Sequence, residues 1–240
     1  MRQIILAINA LLKFKAYTLI NVLGLACSLA CVLTVARYIH QENTVNQCFP
    51  EYKRICLIKT STSSGENFLG GYRSGLEKNP DVEQFTVIYQ ISDMPALFGE
   101  QEIAANAFSV DSTFFKIFPY RVIAGSGRIV RPRDVVITRS FWKKKLGGKN
   151  AIGATFKNTK GNKFTIIGVV DDPDTKTSWM PDIFMSDELD EFLFFDPIYA
   201  MLMAPDTDIA LLNKKYSKEH PRSKWSTYET VRYQYLPLKD

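Results

Sequence analysis

YTLINVLGLACSLACVLTVA, residues 17–36, carries no charged side chain over twenty residues. At about 1.5 Å rise per residue, a helix of this length spans about 30 Å, the hydrocarbon thickness of a bilayer. Its main polar members are Thr18, Asn21, Ser28 and Thr34, and they form no continuous polar stripe of the kind a soluble helix shows. The stretch therefore predicts a transmembrane helix, bounded at 16–40. Gly24, Ala26, Ser28 and Ala30 give it small-residue surfaces that favour helix–helix contact in lipid, with Gly24 and Ser28 the candidate packing positions.

Two other uses of an N-terminal apolar run compete. A cleaved signal peptide normally has a shorter apolar core and a less extended charged front. A lipoprotein signal closes its apolar run at a cysteine. Here Val32, Leu33, Val35 and Ala36 continue past both Cys27 and Cys31, so a retained anchor fits better. Arg2, Lys13 and Lys15 precede the span and only Arg37 follows closely, which predicts a cytoplasmic N-terminus and an extracytoplasmic remainder. In residues 1–15, Ile4, Ile8, Leu11 and Leu12 share one helical face. That pattern suits a helix lying in the membrane interface, or the first turns of one long helix.

The rest is a different material. No acidic residue occurs before Glu42, so all 25 acidic residues fall in the later part of the 240-residue chain. Residues 41–240 have an ordinary globular mixture, enough for one domain of two lobes or for two small domains. The net charge of +5 is mild and its basic residues are scattered, which speaks against a nucleic-acid partner.

Catalytic signals are weak. His40 and His220 lie far apart, and no CxxC, HExxH, GxSxG or Walker-type loop occurs. Asp171, Asp172 and Asp174 surround Pro173, a composition that favours a turn over a cation site. The acidic group Asp187, Glu188, Asp190 and Glu191 reads the same way. Cys27 and Cys31 read as apolar packing residues of the membrane helix. Cys48 and Cys56 would stand in an oxidising compartment; a disulfide between them and a simply buried Cys56 both remain open. No catalytic, cofactor-binding or metal-ligating residue is assigned, and any energy must come from a partner.

The later chain alternates short strands and helices. Strands are predicted over 52–60, 85–91, near 102–110, over 134–138, 154–158 and 163–170, and at PIYAMLM (197–203) and VRYQYLPL (231–238), with 61–68 as a loop. Helices are predicted over 69–78, 112–118, FWKKKL (141–146) and 209–220. Asp111 is placed to cap the second, Thr138 or Ser140 the third, and Asp206 or Asp208 the last. Phe114, Phe115 and Phe118 share a face after Asp111, a spacing that points to core. Gly168, inside a strand, predicts a bulge or a close backbone approach. The order is mixed, so the fold class is α+β, with one N-terminal transmembrane helix.

The segments YTLINVLGL, VDSTFFKIF (110–118), VVITRSFWKKKLGG (135–148), AIG (151–153) and FTIIGVVDDPDTKTS (164–178) occur in one order. Together they resemble the N-terminal half of a MacB/FtsX-type ABC transporter permease, over essentially the whole chain. Trp142 stands where that family usually has a small residue, and DDPDTKTS departs from its commoner Asp-x-Pro form.

The resemblance implies a MacB-like periplasmic core domain of two subdomains, a porter-like lobe (about 50–110 and 191–240) with an inserted lobe (about 111–190). It implies a core motif at Asp111, Phe114, Phe115 and Phe118, and a strand motif at Gly168, Asp172 and Pro173. It further implies residence in a bacterial inner membrane and mechanotransmission, in which ATP hydrolysis by a separate cytoplasmic ABC ATPase moves the outer domain. Implied partners are the lipid bilayer, that ATPase, a second permease in a homodimer or heterodimer, and a periplasmic adaptor. Family substrates include lipoproteins, peptides and antimicrobial compounds. A complete permease half has about four membrane helices, so this chain reads as a truncated product, a fragment or a free-standing homologue. The alternative function is a membrane-tethered binding or sensing module without transport.

Overall fold

The computed structural model describes residues 13–62, 67–69, 79–148, 150–186, 197–215, 220–221 and 230–238. The chain divides after Val45, and its two parts are described separately.

In the first part the apolar stretch is one helix, α1 (Lys15–Asn43), of 29 residues. At about 1.5 Å per residue it is about 43 Å long, more than a hydrocarbon core requires. Its mean hydropathy reaches 2.3 over eighteen residues, and none of its side chains is buried. Leu25 is 73% exposed and Val32 63%. A surface this apolar on every side needs lipid or other helices around it. Two of its hydroxyls bond within the helix: Ser28 Oγ donates to the Gly24 carbonyl at 2.9 Å and Thr34 Oγ1 to the Ala30 carbonyl at 2.8 Å. The interfacial segment expected over 1–15 lies, apart from its last three residues, outside the described residues.

The second part, residues 46–240, is built on a mixed sheet. Its strands are β1 (Ile55–Thr62), β2 (Asn67–Leu69), β3 (Val82–Phe98), β4 (Gln101–Val110), β5 (Val122–Gly125), β6 (Asp134–Thr138), β7 (Thr155–Lys157), β8 (Lys163–Val170), β9 (Ile183–Ser186), β10 (Ile198–Met203), β11 (His220–Pro221) and β12 (Thr230–Pro237). Their spatial order is β11-β12-β1-β10-β3-β4-β9-β6-β8-β5, with β2 on β1 and β7 on β3 and β8. The pairs β4–β9 and β6–β8 are parallel and the others antiparallel. Strands from 122–186 gather at one end of this order, and strands from 55–110 and 198–237 at the other. Three short helices complete it: α2 (Phe114–Ile117), α3 (Arg139–Lys145) and α4 (Ile209–Lys215).

The central strands are legible as unbroken apolar runs. DVVIT and IYAMLM are buried at every position, as strands covered on both faces must be. β3 differs from expectation, because it runs on to Phe98 through Pro95. A bulge between Ile91 and Met94, with Asp93 at φ +51°, resets the register against β4. Beyond it Pro95 pairs with Ala104 only, since β10 ladders β3 no further than Ile88 and β7 meets it at Leu97, so the missing N–H breaks no second ladder.

Other boundaries shift for local reasons. β1 starts at Ile55, because residues 49–54 turn twice, Tyr52 N–H to the Phe49 carbonyl and Arg54 N–H to the Glu51 carbonyl. Ser61 and Thr62 extend β1, and Asn67 and Phe68 open β2, where a loop was expected. The helix expected over 112–118 is a single turn stopped before Pro119. That over 209–220 is described from Ile209 to Lys215; residues 216–219 lie outside the described residues, and His220 is in a strand. Residues 70–78, which carry most of another expected helix, and the acidic group at 187–191 lie outside the described residues.

Candidate functional site

Asp111 organises the start of the run VDSTFFKIF. It sits at the end of β4, where its Oδ1 accepts from Thr113 N–H at 2.8 Å and Phe114 N–H at 3.1 Å, the free amides at the head of α2. The same oxygen accepts from Thr86 Oγ1 at 2.8 Å, and Oδ2 from Val87 N–H at 3.1 Å. One carboxylate thus joins the cap of α2 to β3.

The turn it caps delivers three aromatic rings. Phe114 and Phe118 are fully buried with centroids 5.0 Å apart, and Phe118 stacks on Trp179 at 5.3 Å. Phe114 also meets Phe184 of β9 at 5.5 Å. Phe115 is only partly buried and packs on Phe184 at 5.2 Å. Such ring pairs add about 0.5–1.5 kcal/mol each beyond area burial. Phe115 also lines a cleft of about 650 Å³ with Lys116 and Arg128 on its walls.

Gly168 lies inside β8, where a register shift against β6 falls between Val135 and Val136. A Cβ here would overlap the Ser126 carbonyl oxygen, so the position combines a bulge with a close backbone approach. Asp172 and Pro173 lie beyond the last residue of β8, in the following loop rather than in the strand. Asp172 accepts from Ser140 N–H at 3.1 Å and Ser140 Oγ at 2.7 Å at the start of α3. The cap of α3 proper is Thr138, whose Oγ1 accepts from Phe141 N–H at 3.4 Å. Gly147 and Gly148, both at positive φ, end that helix.

Asp171, next to Asp172, takes Arg121 Nε at 2.9 Å and Arg139 Nη2 at 3.0 Å on the same oxygen; Arg121 Nη2 also bonds it. The hydrogen bonds from Arg121 hold its carboxyl below the usual carboxylate range. Arg121 is 75% exposed along its side chain, so water weakens the pair and its main effect is orientation.

These acids border a cleft of about 370 Å³, formed by Cys48 and Phe49, by Pro119–Arg121 and by Asp171–Asp174. Burial pushes the Cys48 thiol above its ordinary value of 9.0. Burial also raises the Tyr120 phenol, whose hydroxyl donates to the Trp179 carbonyl. Cys48 and Cys56 form no disulfide, and Cys56 is buried in β1. Among the described residues no group of three or more His, Cys, Asp or Glu side chains is placed to hold a metal.

The structure adds Asn46, which sequence reasoning missed. It is buried, at φ +64°, the left-handed region that Asn tolerates better than other side chains. Its N–H donates to the Lys176 carbonyl at 2.9 Å and its Nδ2 to the Leu238 carbonyl at 3.2 Å. Its Oδ1 accepts from Thr177 Oγ1 at 2.8 Å and Ser178 N–H at 3.0 Å. An Asn shortly after a long helix is the one local signal for it.

Asp111, Phe114, Phe115 and Phe118 are thus brought together around α2, while Gly168, Asp172 and Pro173 follow one another through β8 and its loop. Gly24 and Ser28 lie on α1, with nothing within 4 Å of a Cβ added at Gly24.

Residues 18–215 match the model of the MacB-like periplasmic core domain. No curated protein matches the chain. Among solved structures, a domain assigned to a permease protein of Porphyromonas gingivalis superposes with a TM-score of 0.63 at 19% identity, over 79% of this chain and 92% of that one. The periplasmic region of MacB from Actinobacillus actinomycetemcomitans gives 0.55 at 15% identity, over 71% and 83%. At these identities the likeness is one of fold, and it agrees with the mixed α+β architecture. The family match covers most of the chain, α1 included from Thr18 onward, and this chain belongs to the MacB-like periplasmic core domain family.

Proposed function

We propose that the chain is the membrane anchor and extracytoplasmic domain of an ABC transporter permease of the mechanotransmission type. In this reading α1 spans a bacterial inner membrane with its N-terminus in the cytoplasm. Residues after about 40 stand outside and move when a separate ABC ATPase hydrolyses ATP. A second permease and a periplasmic adaptor complete the assembly, and the chain itself carries out no hydrolysis. The observation that carries this is continuity: one family match begins inside the apolar helix, at Thr18, and continues to Lys215. The basic residues ahead of the span, Lys13 and Lys15 among them, support the orientation.

The domain works as two lobes, with an insert near 111–190 in a porter-like lobe. The sheet order supports this division, since β9, β6, β8, β5 and β7 adjoin the remaining strands through the β4–β9 pair and the Leu97–Lys157 pair of β3 with β7. Asp111 and the aromatic turn hold the insert to β3, and Asp172 holds α3 to the end of β8.

The test is extraction in mild detergent followed by affinity purification. Recovery of an ABC ATPase and a second permease subunit is expected. A chain recovered alone would favour a tethered binding module instead.

A further inference from the structure

Asn46 is the first residue of the domain. Cys48 and Phe49, two and three positions on, line the 370 Å³ cleft. Asp171–Asp174 line it as well and lead within two residues to Lys176. Asn46 holds that second stretch three times, through its N–H to Lys176 and its Oδ1 to Thr177 and Ser178. Its remaining donor, Nδ2, holds the Leu238 carbonyl just past β12, and Leu238 N–H in turn bonds the Ile55 carbonyl at the start of β1. One buried side chain therefore fastens two segments of the cleft to each other and to the last described residue of the domain.

No other residue reproduces this set. Aspartate lacks the donor to Leu238, glycine keeps the φ of +64° but lacks both side-chain arms, and other side chains are strained there. A buried amide bonded through both its oxygen and its nitrogen has few alternative positions, so shifting it must carry its partners along or break their bonds.

We propose that Asn46 is a positioning residue that ties the width of the Cys48–Asp174 cleft to the ends of the domain, so that displacement of the chain arriving from α1 opens the cleft. Its purpose rests on the coupling reading above, whereas its geometry does not.

The test uses the full chain in mild detergent with Cys27→Ala and Cys31→Ala, which leaves Cys48 in the cleft and Cys56 buried in β1 as thiols. Maleimide labelling of each is followed by mass spectrometry. Asn46→Gly is expected to speed Cys48 labelling about tenfold by local opening, with Cys56 at its unsubstituted rate. Asn46→Asp, which keeps the acceptor for Thr177 and Ser178 and sets a carboxylate oxygen against the Leu238 carbonyl, is expected to raise the rate by about threefold or more and serves if the glycine variant does not accumulate. A Cys48 rate unchanged within about twofold overturns the proposal. So does a parallel rise at Cys56, which reports general loss of stability. Labelling needs no ATPase, so failure to co-purify one leaves these rates as they are, and unchanged rates leave the transporter reading standing.

Discussion

Thr86 Oγ1 donates to Asp111 Oδ1 at 2.8 Å, and through that bond β3 is tied to the capped turn that carries the aromatic core. The carboxylate has four donors and no cation among them. Asp111→Ala takes the carboxylate from all four, leaving Phe114 N–H only its 3.3 Å bond to the residue 111 carbonyl, and is expected to cost about 2–4 kcal/mol. Asp111→Asn keeps an acceptor for three of them but turns an N–H toward Val87 N–H, so a loss of about half that size is expected. Thermal melts of the detergent-solubilised chain rank the two variants, and equal melting for wild type and Asp111→Ala would remove the knot from the account.

Gly168 and Gly161 separate contact from conformation. At Gly168 a methyl group meets the Ser126 carbonyl, and either β8 or the Ser126 turn must move. Gly168→Ala is expected to cost about 3 kcal/mol. Gly161 has φ +80° with open space around it, so Gly161→Ala meets only backbone strain, about 1 kcal/mol. Denaturant midpoints of the two variants should differ in that order; the reverse order would mean that β8 lacks the close approach.

Asp171 supplies a pH test. Its folded-state pKa lies below the ordinary 3.8 because Arg121, and less so Arg139, bond the charged form. Its contribution is present above 3.8 and lost as pH falls through the lowered folded value. Asp171→Asn should therefore melt below wild type at pH 7, and the gap should shrink as pH drops under that range. A gap constant down to pH 2–3, roughly the acid limit of such a scan, would mean that the charged form carries no special stabilisation.

Gly24→Leu tests the surface of α1. Among the described residues nothing lies within 4 Å of a Cβ added at Gly24, so the domain should keep its melting temperature. A bulky side chain at a small-residue surface should instead weaken association with partner helices. Crosslinking to co-purified subunits is expected to fall several-fold, and undiminished crosslinking would place the packing face elsewhere.

How much of this was legible in the sequence depends on the range of the interactions. The span at 17–36 needed only its own composition. DVVIT and IYAMLM needed only a run of apolar residues, and Asp111 could be read as a cap because its amides lie two and three residues on. Its second role was hidden, since Thr86 and Val87 lie 25 and 24 residues upstream. Asn46 was beyond reach for the same reason, with partners 131, 132 and 192 positions away. Asp171 and Asp172 were read as turn formers, which their loop permits. Their bonds to Arg121, Arg139 and Ser140 depend on how β8 lies beside β5 and β6, and spacing along the chain carries no trace of that.

The most direct measurement is protease digestion of intact spheroplasts expressing the full chain. The account predicts that added protease removes residues after about 40 and leaves a short membrane-retained fragment containing α1. Full-length chain that survives digestion until the cells are lysed would contradict it.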